Sequence, residues 1–161
     1  MKNAVRMIAA AAVLLLASEI FAQAPAPPFS LKLDVTPGSA KAGANILMEV
    51  DLTNNTNERI GVEICSAMRV ECNFGVSVLD SHGNSPPETR YLKAVRGEPT
   101  GSPNLVVFPS LGPRSIEPGE TLKFVTDLPK LFDISRPDRY EIQVEKGNVK
   151  SNISQVIVLA P

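Results

Sequence analysis

Residues 45–57 read NILMEVDLTNNTN. Ile46, Met48, Val50 and Leu52 share one side of an extended chain, with Glu49, Asp51 and Thr53 on the other. This two-residue period belongs to a strand with one face in a core and one in water. The polar run Asn54 to Asn57 supplies the turn that ends it. Upstream, Phe29, Leu31, Leu33 and Val35 alternate with Ser30, Lys32, Asp34 and Thr36, and Pro37-Gly38 closes that strand. Downstream, Ile60, Val62 and Ile64 predict a third strand, and Phe74, Val76 and Val78 a fourth that stops at DSHGN, where Gly83 and Asn84 adopt positive φ at little cost. The alternation returns in IEPGETLKFVTDL, where Leu122 and Phe124 share a face, in RYEIQVE, where Tyr140, Ile142 and Val144 do, and in ISQVIVLA.

About seven strands with turn signals between them, and no long helical period, predict an all-β immunoglobulin-like antiparallel sandwich with Greek-key connections. An up-and-down barrel is the structural alternative, disfavoured by the uneven connection lengths. One short helical turn is expected around Leu128 to Ile134. Between Ser85 and Ser115 six prolines break the pattern, and one or two short edge strands are expected inside a long irregular excursion.

Residues 1–22, MKNAVRMIAAAAVLLLASEIFA, have a basic start (Lys2, Arg6), an apolar run from Met7 to Ala17 and small residues near the end. They read as a secretory signal peptide cleaved after Ala22. The run is shorter than the roughly 20 residues that span a bilayer, and no cysteine follows it to carry a lipid. The mature chain is therefore expected to be secreted or periplasmic, without stable membrane insertion. Residues 23–28, QAPAPP, read as an extended leader, and residues 29–161 as the domain. Loss of Lys2, Arg6 and Glu19 from the 16 basic and 17 acidic side chains leaves 14 against 16, a net charge of −2. The charges are interspersed, which excludes an electrostatic footprint for nucleic acid. Cys65 and Cys72, in CSAMRVEC, are expected to form a disulfide in an oxidising compartment.

The segment from Ile116 to Ala160 carries Pro118, Gly119 and Glu120 before a strand, Asp133 to Ser135 in a corner, Tyr140 opening the next strand, and Ser151 and Asn152 before the last. It resembles the last strands of immunoglobulin-like domains in secreted bacterial proteins, and is similar to endings in BsuPI-type proteinase inhibitors and in the amino-terminal β domains of deuterolysin-like metalloproteases. The resemblance implies a fold, with Tyr140 bonding back to upstream backbone as in a tyrosine corner. It transfers no functional residue, because such sandwiches host unrelated activities.

Catalytic patterns are missing from the sequence. A serine or cysteine nucleophile needs a base within reach, and the sole histidine, His82, sits in the turn DSHGN. Asp80, His82 and Asn84 alternate as three ligands would, but a calcium loop needs more carboxylates, so the hairpin-turn reading is preferred. No enzyme activity, cofactor or metal is expected. The excursion supplies the best candidate for a working surface, with Arg90, Tyr91, Arg96, Leu105 and Phe108 as residues of the types that anchor interfaces. The expected function is that of an exported binding or accessory module for another extracytoplasmic protein or an envelope component. The alternatives are a proteinase inhibitor, suggested by the resemblance, and a small metal or redox carrier using Met68, His82 and the cysteines.

Overall fold

A computed structural model describes residues 26–65, 67–99 and 111–161. The signal-peptide reading, residues 23–25 of the Pro-rich leader, and residues 100–110 lie outside the described residues. The first sheet contains β1 (Phe29–Thr36), β3 (Leu47–Asn54) and β7 (Thr121–Asp127) in the order β1-β3-β7. The second contains β2 (Ser39–Lys41), β10 (Ser154–Leu159), β8 (Asp138–Lys146) and β5 (Gly75–Leu79) in the order β2-β10-β8-β5, with the short β9 (Val149–Lys150) beside β8. A ribbon of β4 (Ile60–Cys65) and β6 (Leu111–Ile116) stands apart from both. Three one- or two-turn helices complete the described elements: α1 (Val70–Asn73), α2 (Arg90–Val95) and α3 (Leu128–Leu131).

The architecture is an all-β sandwich in which chain neighbours are repeatedly separated. β3 pairs with β1 and with β7, far away in the chain, while β5 pairs with β8 and β10 inserts between β8 and β2. Such crossings from sheet to sheet are those of the immunoglobulin-type Greek key. The strand expected at residues 29–36 is β1 in the first sheet; the chain changes sheets after the cis Thr36–Pro37 peptide, and β2 lies in the second. There β2 runs parallel to β10, the one parallel pairing among the described residues.

The core is the sum of the alternating faces. Leu33, Met48, Val50, Leu52 and Phe124 from the first sheet and Ile142, Val144 and Val156 from the second have no exposed surface, and all belong to one cluster. Phe74 stands edge-on to Phe124 with ring centroids 4.9 Å apart, an arrangement that aromatic quadrupoles favour. On the outer face of the first sheet Lys123 reaches Glu49 at 2.5 Å and Asp51 at 3.2 Å. These cross-strand pairs agree with the register that buries Val50 opposite Phe124.

Polar side chains fasten one sheet to the other. The Asn152 amide donates to the Leu33 carbonyl and accepts from the Leu33 N–H, both at 2.9 Å, and the Ser154 hydroxyl donates to the same carbonyl at 2.9 Å. Asn152 thus serves β1 as a neighbouring backbone would. Tyr140 donates to the Arg136 carbonyl at 3.0 Å, forming the anticipated corner. Gly119, at φ +74°, makes the turn Glu117 to Glu120 and donates its N–H to Asn54.

Several expectations need correction. Ten strands are present among the described residues, because β2, β6 and β9 lack the long alternation that marks the others. β6 contains Pro113, which is tolerated because, among the described residues, β6 pairs with β4 alone. α3 falls where a helical turn was expected, but α1 and α2 were not anticipated. The described part of the excursion ends in the short strand β6, as expected, and also holds α2, whose Leu92 and Ala94 are buried. Among the described residues no helix is long and apolar enough to cross a membrane.

Two substitutions probe this packing. Val50→Asp puts an unpaired carboxylate into a site with no exposure and is expected to cost about 4 kcal/mol or more. Tyr140→Phe removes the corner bond and is expected to cost about 1 kcal/mol. Urea unfolding followed by circular dichroism measures both, and an unchanged midpoint for Val50→Asp would refute the register.

Candidate functional site

The chain leaves β4 at Cys65 and is pulled back by a disulfide to Cys72 in α1, so the expected pairing is present. Asn73, buried beside the bridge, accepts from the Cys65 N–H at 2.8 Å and donates to the Arg69 carbonyl at 2.7 Å. One covalent and two hydrogen-bonded ties therefore close the loop, with Met68 held at φ +50°.

The loop presents Glu71 to α2. Glu71 is buried, and its Oε1 accepts from the Tyr91 hydroxyl at 2.5 Å, while Oε2 has no hydrogen-bond partner among the described residues. The same hydroxyl accepts from an Arg69 guanidinium nitrogen at 3.1 Å. Over the Tyr91 ring lies the Lys130 ammonium of α3, 4.1 Å from the centroid, a cation–π contact. Burial and then the Glu71 bond push the Tyr91 phenol above its ordinary range.

Local sequence explains why α2 stands where it does. Thr89 caps its first turn, accepting from the Leu92 N–H at 3.3 Å, and donates to the Lys130 carbonyl at 2.6 Å. Leu92 and Ala94 face inward, leaving Arg90, Lys93 and Arg96 exposed. Arg96 is paired with Glu88.

Of the five surface residues expected from sequence, Arg90 and Tyr91 open α2 and Arg96 is its C-cap. Leu105 and Phe108 lie outside the described residues. Arg69, Glu71 and Lys130 join them and were missed. No local pattern marks them, since each reaches Tyr91 from another part of the chain. The metal or redox alternative loses its thiols, both of which are in the bridge. His82 lies in the turn that follows β5, whereas Met68 lies in the loop that precedes it. In that turn, Asp80 accepts backbone N–H bonds from His82 at 2.9 Å and Asn84 at 2.8 Å. These bonds, Asn84 foremost, hold its carboxyl below the usual range. A hydroxyl bond from Ser81 does the same for Asp138.

No family model and no curated protein matches the chain. Among solved structures it is similar to a conserved hypothetical protein from Bacillus anthracis, with 12% identity over 81% of this chain and 89% of that one, at a TM-score of 0.37.

Removing the bridge by Cys65→Ser with Cys72→Ser is expected to cost about 2.5 kcal/mol, the chain entropy of an eight-residue loop. Tyr91→Phe leaves Glu71 buried without its donor and is expected to cost about 1 to 3 kcal/mol near neutral pH. Because the folded phenol has a raised pKa, its contribution is complete below about pH 10 and is lost as pH rises through the folded value. The stability gap between the wild type and Tyr91→Phe should therefore shrink above about pH 10. Paired urea titrations across that range measure it.

Proposed function

We propose that the chain is an exported, non-enzymatic binding module that presents the α2 surface to another extracytoplasmic protein or an envelope component. The observation that carries this reading is the fixed display of Tyr91 among Arg69, Arg90 and Lys130, on a helix braced by a disulfide-closed loop and by α3. Aromatic and arginine side chains supply most of the energy at protein interfaces. Holding them in place beforehand removes part of the ordering cost of association.

The proposed location follows from the leader-like residues 1–22 and agrees with the disulfide, which persists in oxidising compartments. The balanced charge adds that attraction to a partner is local to the α2 surface and does not arise from a field over the whole domain. Arg90 is exposed, while Arg96 is already engaged by Glu88. Arg90 is therefore the cation freer to meet a partner carboxylate.

The test is crosslinking of the oxidised protein in an extracytoplasmic extract of its host, followed by titration of the purified partner. The expected result is crosslinks from α2 and a saturable complex that Arg90→Glu weakens at least about tenfold, or about 1.4 kcal/mol. Crosslinks that avoid α2, or an affinity indifferent to Arg90→Glu, would overturn the reading.

A further inference from the structure

Pairing of β5 with β8 brings a third potential ligand to the turn after β5. Asp80 and His82 lie in that turn, and Asp138 opens β8. One ligand atom from each, a carboxylate oxygen from both aspartates and a ring nitrogen from His82, lie within 4.8 Å of one another. The local reading of DSHGN pairs Asp80 and His82 with Asn84, a weak donor. The fold replaces it with a carboxylate from far along the chain.

We propose that Asp80, His82 and Asp138 form a binding site for a divalent transition ion of the zinc class. The donor set is one imidazole nitrogen and two carboxylate oxygens, which suits zinc better than the all-oxygen shell that calcium requires. Two anionic side chains from different elements are held together by strand pairing, and neither forms an ion pair with lysine or arginine among the described residues. A bound dication relieves that repulsion.

The surroundings orient the ligands as outer-shell groups do at metal sites. Asp80 Oδ1 is anchored by the two backbone N–H groups of the turn, and Asp138 Oδ1 accepts from the Arg139 N–H at 2.7 Å. His82 Nδ1 lies 3.3 Å from the Ser81 hydroxyl, and in the tautomer whose Nδ1–H donates to that oxygen, Nε2 carries the lone pair that coordination needs. Gly83, at φ +80°, allows the tight return that places His82 beside Asp80. Three protein ligands leave a position on a four-coordinate ion for water or a donor from a partner. The site stands at the end of β5 opposite α1 and is independent of the α2 reading.

The experiment titrates the metal-free, oxidised protein with zinc chloride by calorimetry and records its melting temperature with and without zinc. The expected result is one ion per chain and a melting temperature that rises with free zinc. His82→Ala and Asp138→Asn should each weaken binding by at least the roughly 10- to 100-fold typical of losing even an outer-shell partner. Because His82 is exposed in a turn, its variant keeps the test informative even if Asp138→Asn unfolds. Absence of saturable binding, or wild-type affinity in His82→Ala, would overturn the proposal.

Discussion

Strand β3 holds Met48, Val50 and Leu52 at zero exposure between β1 and β7. Side chains alternate, so a slip of one residue in either pairing would move all three into water and carry Glu49, Asp51 and Thr53 into the core. The penalty for that exchange pins β1 and β7 to β3. Once they are pinned, Leu33 and Phe124 share its inner face, and the second sheet has one apolar surface to cover. The outer face reinforces the same register through Lys123, whose pairing with Glu49 and Asp51 requires β7 to lie where Phe124 faces Val50.

Two sheets pressed together still have open sides, and the chain closes each differently. On one side the chain itself crosses over: β1 serves the first sheet and β2 the second, with Asn152 and Ser154 binding the Leu33 backbone across the gap. On the other side β5 and β7 are both edges, and α1 packs against both. The helices are thus consequences of the sandwich, since edge strands left bare invite pairing with other chains. α1 and α3 have only four residues each, too few to persist alone. The disulfide and Asn73 hold the first in place, and the continuation of β7 holds the second.

Most of the sandwich is legible in the sequence because a two-residue period reports burial directly. β1, β3, β4, β5, β7, β8 and β10 each carry it, and the Tyr140 corner follows from its place ahead of an alternating strand. What the sequence hides are elements whose form is set by contacts. β2 is three residues long, and nothing local says that it leaves the sheet of β1. α2 lies in a Pro-broken region where Leu92 and Ala94 are too few to show a helical period. Cys65 and Cys72 are readable as a pair from composition and compartment, but their service to Glu71 and Tyr91 is a property of the fold.

The same distinction governs chemistry. A site built within one turn, such as Asp80, His82 and Asn84, is visible in sequence and weak, because a short loop has few donors to offer. A site built across strands is stronger and invisible, because strand pairing selects the third member from a distant segment. Tyr91 illustrates this on α2, where its partners come from the disulfide loop and α3. Asp138 illustrates it at the far end of β5. Both assemblies use β5 as their fixed element, one through the loop that enters it and one through the turn that leaves it. The strand's pairing with β8 and the burial of Val78 against the core therefore set the geometry of each, although Val78, the one buried residue of β5, takes part in neither.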